Sequence, residues 1–137
     1  MALVRVLIGA VLFCALVGCG LIRPSADITF GHPLNGELGE VLDSGQPAML
    51  RDLTDFDWDE VHLFNEGASR DRVEQVVGAP VLKDKYWESS SSLLVFEKDG
   101  SIVNVLSITG DYLRADKPTW TSDVAVVPWG AGALRLQ

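Results

Sequence analysis

The sequence predicts an α+β domain in which one short helix packs on an antiparallel sheet of about four to five strands. Residues 67–80 contain regularly spaced valines and end in Gly-x-Pro, which is typical of a short helix. Two β-rich runs flank Asp99-Gly100, which is typical of a hairpin. An apolar N-terminal run and a stretch rich in Gly and Pro come first, so the domain is expected to follow a signal and a tether.

Residues 1–22 have the layout of a secretory signal, since the basic residue Arg5 precedes an apolar run over residues 6–22. Within that run, Leu16-Val17-Gly18-Cys19 resembles the bacterial lipobox. The resemblance implies that residues 1–18 are a lipoprotein signal peptide. It also implies that Cys19 carries a diacylglyceryl group and an N-terminal acyl chain such as palmitate. A membrane span and an ordinary cleaved signal are the alternatives, and both would export the rest of the chain.

The predicted location is the extracytoplasmic side of the cell envelope, where the lipid on Cys19 anchors the protein to a membrane. In a Gram-negative host, Asp at the second mature position resembles an inner-membrane retention signal. This chain has Gly20 there, which favours the outer membrane. The other cysteine, Cys14, falls inside the predicted signal, so no disulfide framework is expected.

The composition is strongly acidic, with 11 Lys and Arg against 19 Asp and Glu and a formal net charge of −8. Affinity for nucleic acid comes mostly from basic side chains that neutralise phosphates, so this balance argues against a nucleic-acid partner. It also argues against electrostatic binding to anionic lipid. The acyl chains are therefore expected to be the membrane anchor.

The segment after the lipobox is predicted to be irregular. Residues 20–47 contain five Gly and three Pro without a sustained apolar period. We therefore expect residues 19–47 to comprise the lipidated cysteine and a flexible tether. Residues 48–137 are then expected to form one small α+β domain.

The first elements of this domain are predicted by their ends and their apolar spacing. Residues 58–64 form a strand candidate with Val, Leu and Phe at its end. A short helix follows, because Ser69 is a good N-cap and Gly78 suits the position after the helix. The helix is marginal in isolation and is expected to pack on the sheet. Its apolar face consists of Val73, Val76 and Val77.

The remaining strands are predicted by β-propensity and turn residues. Residues 93–97 and 102–108 are joined through Asp99-Gly100, which tolerates the positive φ angles of a type I′ turn. Two further strand candidates lie at residues 123–129 and 132–137. Pro128 is expected to place the end of the first of these at an edge.

The helix and hairpin resemble the SmpA/OmlA (BamE-like) lipoprotein domain. Around the helix, the positions in register with its motif are Gly67, Ser69, Val73, Val77, Gly78 and Pro80. In the hairpin, the similar positions are Phe96, Gly100, Ile102 and Val103. The resemblance implies a small lipoprotein that binds other envelope proteins, and the best-known member is an accessory of the outer-membrane β-barrel assembly machine. The module also resembles half of the β-lactamase-inhibitory protein fold, which implies an inhibitor of a secreted enzyme as an alternative.

An acidic segment stands before the helix, where the assembly factor of that family has an N-terminal arm. Four acids match positions 1, 3, 5 and 12 of an EF-hand calcium loop: Asp55, Asp57, Asp59 and Glu66. Position 6 of such a loop is Gly, whereas this chain has Glu60, and no flanking helices are predicted. We expect the aspartates to face water at the entry of a strand, with Phe56 and Trp58 in the core.

The predicted function is the binding of another cell-envelope protein by a non-catalytic module. The sequence contains no nucleophile motif and no phosphate loop, so no catalytic residue and no cofactor are predicted. Tyr86 and Trp87, adjacent in a predicted loop, are the candidate partner surface. The alternatives are an acidic lipoprotein that binds Ca²⁺ or another ligand and the inhibitor of a secreted enzyme.

Overall fold

The computed structural model describes residues 25–137. Two helices and eight strands follow one another in this part of the chain, with a 3₁₀ turn at Leu50–Leu53. The helices are α1 (Leu34–Ser44) and α2 (Arg70–Val77). The strands are β1 (Ala48–Met49), β2 (Glu60–Phe64), β3 (Ser91–Lys98), β4 (Ser101–Thr109), β5 (Leu113–Arg114), β6 (Thr119–Thr121), β7 (Ala125–Pro128) and β8 (Leu134–Leu136).

The strands form two sheets of four strands each. The hairpin sheet has the order β4-β3-β2-β6 and is antiparallel throughout. The C-terminal sheet has the order β1-β7-β8-β5, in which β5 and β8 run parallel. The predicted α+β class is confirmed. The expected single sheet is two sheets instead, because β5, β7 and β8 pair with one another and with β1.

Two apolar cores lie on opposite faces of the hairpin sheet, since successive strand residues alternate between its faces. The larger core joins Leu63 and Phe96 to helix α1 and to the C-terminal sheet. The smaller core joins Phe64 and Val95 to the valines of α2. The two helices therefore cover opposite faces of the hairpin sheet.

The prediction of a flexible tether over residues 19–47 is wrong for residues 34–44, which form helix α1. Leu34, Leu38 and Val41 are buried in the larger core with the i, i+4, i+7 spacing of one helix face. Gly36 and Gly39 each destabilise the helix by roughly 1 kcal/mol relative to alanine. Packing of the apolar face against the core offsets this destabilisation. The folded domain therefore begins before residue 48.

Residues ahead of α1 also belong to the fold. Thr29 N–H donates to the Val105 carbonyl at 2.8 Å, and Ser107 N–H donates to the Thr29 carbonyl at 2.9 Å. These two bonds attach the chain to the outer edge of β4 by a parallel bridge. The chain is therefore held beside the hairpin sheet at Thr29, ten residues after the predicted lipid anchor at Cys19.

Helix α2 begins and ends as predicted. Ser69 Oγ accepts a hydrogen bond of 3.1 Å from the Arg72 N–H. Gly78 has a left-handed φ of 81°, and its N–H donates to the Glu74 carbonyl. Val73 and Val77 are buried, so the predicted valine face packs on the hairpin sheet as expected.

The predicted hairpin is present, with Asp99 and Gly100 at φ angles of 50° and 76°. Strand β3 begins at Ser91, earlier than predicted, and the register between β3 and β4 shifts after Phe96. Pro128 pairs with β8, but β1 reaches only as far as Val126 on the other side of β7. The end of β7 is therefore an edge, as expected.

The predicted signal peptide at residues 1–18 and the lipobox, Leu16, Val17, Gly18 and Cys19, lie outside the described residues. Residues 19–24 of the predicted tether lie outside them as well. Within residues 25–137, neither helix has the length and apolar character needed to cross a membrane.

Candidate functional site

A groove of about 840 Å³ lies between residues 26–30 and residues 81–89. Phe30 and Tyr86 line it, and their side chains are 68% and 41% exposed. We refer to this feature as the aromatic groove. Large exposed apolar side chains that share one concave surface are typical of a binding site for a partner molecule.

Hydrogen bonds to the backbone fix both walls of the aromatic groove. The wall formed by residues 26–30 is attached to β4 through Thr29. The opposite wall is tied to the start of α2, because Arg70 N–H donates to the Lys85 carbonyl and Trp87 N–H donates to the Ala68 carbonyl. The groove is therefore largely preformed, which limits the ordering entropy lost on binding.

Both residues predicted as a partner surface line the aromatic groove, but they differ in exposure. Tyr86 is exposed, in agreement with that prediction. Trp87 also lines the groove, but it is only 7% exposed and packs in the smaller core, so it offers a partner much less surface than Tyr86 does. Its indole N–H donates to the Ser91 carbonyl at 2.8 Å, which satisfies the buried polar group. Phe30 was not predicted as a site residue, because it lies inside the predicted tether of residues 19–47.

Charges of both signs surround the aromatic groove. Lys83, Asp84 and Glu88 line it and are exposed. The ammonium group of Lys85 lies 5.4 Å from the centroid of the Tyr86 ring, within the range of a cation–π contact. An apolar centre with a polar rim is the arrangement found in protein–protein interfaces.

The structure does not bring the four predicted calcium ligands together. Strand β2 separates the aspartates from Glu66, and five extended residues span about 16 Å. Asp55 and Asp57 are exposed, and Asp57 pairs with Lys98 at 3.3 Å. The hydrogen bond from Lys98 to Asp57 raises the pKa of Lys98. Asp59 instead accepts a hydrogen bond of 3.0 Å from the Asp99 N–H at the hairpin turn.

A polar cluster of Glu60, His62 and Glu97 lies on the face of the hairpin sheet that α2 covers. Glu60 and His62 alternate along β2, and Glu60 stands directly opposite Glu97 on β3. His62 Nε2 lies 2.8 Å from Glu97 Oε2 and 3.3 Å from Glu60 Oε1. His62 is 1% exposed and Glu97 is 5% exposed, whereas the Glu60 side chain is 43% exposed. One imidazole nitrogen therefore faces two carboxylates in a mostly buried site.

The second nitrogen of His62 is held by the neighbouring strand. Thr119 on β6 is the register partner of His62, and its Oγ1 lies 2.9 Å from His62 Nδ1. A hydroxyl both donates and accepts, so this contact suits either neutral tautomer of the ring. Thr119 thus orients the imidazole while Nε2 remains directed at the carboxylates.

The sequence contains part of the signal for this cluster. Glu-x-His over residues 60–62 places two polar side chains on one face of a strand whose neighbours are apolar. Glu97 joins them only through the β2–β3 register, which pairs residues far apart in the chain. The partner of His62 therefore cannot be identified from the sequence alone.

Comparison of the chain with protein-family models, with curated proteins and with solved structures finds no match.

Proposed function

We propose that the chain is a lipid-anchored lipoprotein of the bacterial cell envelope whose α+β domain binds another envelope protein in the aromatic groove. The observation that carries this proposal is the exposure of Phe30 and Tyr86 on one preformed groove. Aromatic side chains dominate the energy of protein interfaces when a partner covers them. The sequence supports the anchor, because Leu16-Val17-Gly18-Cys19 resembles the lipobox.

The short distance along the chain between anchor and groove supports a partner at the membrane. Ala26, at the edge of the groove, follows Cys19 by seven residues. Seven residues reach at most about 25 Å when fully extended. A protein that occupies the groove of the anchored chain is then held close to the bilayer surface. A membrane-embedded or membrane-attached partner meets that requirement.

The resemblance to SmpA/OmlA lipoproteins supports the same class of function. The motif positions Ser69 and Gly78 have the capping roles that a helix of this kind requires. The groove adjoins that helix, because the wall containing Tyr86 pairs with Ser69. A partner-binding lipoprotein module is the function that the resemblance implies, and no catalytic residue is assigned.

Photo-crosslinking in cells tests the partner surface. A photoreactive phenylalanine analogue is introduced at Phe30, at Tyr86 or at Trp129 in the anchored chain. Trp129 is the matched control, since it is 55% exposed but lies outside the groove. We expect the same crosslinked protein from positions 30 and 86 and its absence from position 129. Equal products from all three positions, or none from the two groove positions, would contradict the proposal.

The anchor is tested separately by Cys19→Ala. We expect the wild-type chain to fractionate with membranes and its intact mass to include acyl groups. The variant should lose both properties, because a multiply acylated terminus holds a protein firmly at a bilayer. Membrane retention of the variant, together with a wild-type mass without lipid, would rule out the lipoprotein assignment while leaving the groove result intact.

A further inference from the structure

We propose that Glu60, His62 and Glu97 form a binding site for one divalent first-row transition-metal ion, such as Zn²⁺. The three residues lie outside the aromatic groove, so the inference goes beyond the proposed partner binding. It also concerns none of the four acids that match an EF-hand loop. The geometry, the charge and the donor types of this cluster support a metal site.

The geometry of the cluster fits one ion. One ligand atom from each of the three residues lies within 4.8 Å of the other two. Zinc binds nitrogen and oxygen at about 2.0 to 2.2 Å, which sets the ligand atoms of one ion roughly 3 to 3.5 Å apart. The His62 Nε2 to Glu60 Oε1 distance is 3.3 Å, inside that range. The contact to Glu97 is 2.8 Å and widens by a few tenths of an ångström when an ion enters.

The charge of the cluster also favours a cation. Among residues 25–137, no Lys or Arg forms an ion pair with Glu60 or Glu97, and Lys98 pairs with Asp57 instead. Glu97 is buried, and a buried carboxylate is costly when ionised unless positive charge compensates it, whereas the half-exposed Glu60 remains in contact with solvent. A single imidazole supplies at most one positive charge. A divalent ion with a neutral imidazole balances both carboxylates.

The donor set selects the class of metal. One imidazole nitrogen with two carboxylate oxygens suits zinc and its first-row neighbours, whereas Ca²⁺ and Mg²⁺ prefer sites made of oxygen alone. Glu60 is the most exposed of the three side chains, so the ion enters from its side. Three protein ligands leave at least one coordination position for water. Both strands that carry the ligands are inner strands of the hairpin sheet, each paired on both sides, so the backbone positions of the ligands are well held.

Thr119 orients the imidazole ring of His62 toward the proposed ion. When Nε2 binds the metal, Nδ1 carries the ring hydrogen and donates it to Thr119 Oγ1, 2.9 Å away. A histidine ligand is commonly held through its second nitrogen in this manner. Thr119 does not touch the ion and acts only through His62.

Metal titration of the full chain tests the proposal. The protein carries no polyhistidine tag, and both cysteines are replaced in Cys14→Ser and Cys19→Ser because thiolates bind zinc tightly. We expect one Zn²⁺ per chain with a dissociation constant on the order of 1 µM or lower. At a free concentration about 100-fold above that constant, Tm should rise by on the order of 10 °C. Co²⁺ should give visible absorption bands, and Ca²⁺ should leave Tm unchanged.

Variants separate this site from general binding to an acidic surface. Glu60→Gln removes the exposed ligand and is expected to weaken Zn²⁺ binding at least about 100-fold with little change in metal-free Tm. Glu97→Gln should weaken binding similarly, and its folding is checked by circular dichroism. Thr119→Val should weaken binding about 10- to 100-fold. Asp57→Asn is the matched control and should bind as the parent chain does.

The result that overturns the proposal is also specific. Absence of one-to-one Zn²⁺ binding by the parent chain rejects the site, and so does unchanged binding by Glu60→Gln. An equal loss in Asp57→Asn and Glu60→Gln assigns the binding to the acidic surface and rejects the site as well. A crosslinking result at the aromatic groove has no bearing on either outcome.

Discussion

Phe96 shows how single residues determine the larger core. Its ring meets Phe56 and Trp58 edge-on, with centroids 5.0 Å away in each case. Such pairs contribute about 0.5 to 1.5 kcal/mol beyond the burial of their area. Trp58 also satisfies its indole N–H, which donates to Thr54 Oγ1 at 2.9 Å. The acidic segment is thereby fastened to the sheet by its aromatic residues, while its aspartates Asp55 and Asp57 face water.

Burial of the Tyr112 phenol makes the stability of the fold depend on pH in the alkaline range. Burial raises the pKa of the Tyr112 phenol above its usual value, because the half-buried site disfavours the phenolate. The folded state therefore binds the phenolic proton more tightly than the unfolded state. The resulting stability is fully present below the unfolded pKa near 10 and is lost as pH rises through the higher folded pKa.

We expect Tyr112→Phe to reduce the decline of the free energy of unfolding above about pH 10, as measured by urea unfolding at several pH values. The pKa of Lys98 is also raised, through its hydrogen bond to Asp57, but Lys98 is present in both the wild-type chain and Tyr112→Phe. The difference between their pH profiles therefore reports Tyr112. Tyr86→Phe serves as the control because that ring is exposed. An unchanged alkaline decline in Tyr112→Phe, or the same change in Tyr86→Phe, would contradict the prediction.

Single residues also show where sequence information stops at the candidate site. The exposed aspartates and the core positions of Phe56 and Trp58 follow from the alternation of acidic and aromatic residues, and the structure agrees with them although β2 begins only at Glu60. The contact between His62 and Glu97 does not follow, because it depends on which residues of β2 and β3 stand opposite one another. Phe30 was missed for a different reason, since its exposure at a groove depends on the docking of residues 26–30 against β4.

At the scale of elements, local signals determined which predictions succeeded. Helix α2 has a cap at each end, and the β3–β4 hairpin has Asp99-Gly100, so both were predicted from a few adjacent residues. Helix α1 lacks a side-chain cap and contains Gly36 and Gly39. Its stability comes from packing of Leu34 and Leu38 rather than from propensity. The spacing of these apolar residues is present in the local sequence, but the two glycines weaken it as a helix signal.

The N-cap of α2 gives a prediction at the element scale. Ser69→Ala removes the hydrogen bond from the Arg72 N–H and is expected to lower the free energy of unfolding by about 1 kcal/mol. Ser69→Asp keeps an acceptor at the cap and should retain most of the stability. The midpoints of urea unfolding measure both effects. Equal destabilisation by Ala and Asp would show that Ser69 acts through something other than its cap.

At the scale of the whole molecule, the unpredicted features are long-range pairings. The C-terminal sheet joins β1 to β7 and β5 to β8 across long intervening stretches, and β6 joins the hairpin sheet instead. Strands of two to four residues carry too little periodicity to indicate their partners. The class of the fold could therefore be predicted from its strongest elements, whereas the division into two sheets could not.

The folded domain starts earlier in the structure than the sequence predicts, and two fragments of the chain test which start is needed for folding. A fragment of residues 48–137 matches the boundary expected from the sequence, and a fragment of residues 25–137 contains everything the structure describes. The shorter fragment lacks α1, whose Leu34, Leu38 and Val41 are at most 5% exposed in the larger core. Truncating one buried leucine to alanine typically costs 2 to 5 kcal/mol, and a whole domain is stable by only about 5 to 15 kcal/mol.

We therefore expect residues 25–137 to unfold in one cooperative thermal transition, and residues 48–137 to show none in near-ultraviolet circular dichroism. A fragment of residues 33–137 tests the contribution of the segment before α1. It keeps the helix but loses the two hydrogen bonds of Thr29 with β4, so it should fold with a Tm lowered by several degrees. Cooperative unfolding of residues 48–137 near the Tm of the longest fragment would show that α1 is an appendage. If residues 48–137 lose the cooperative transition while residues 25–137 and 33–137 keep it, α1 is an integral part of the core.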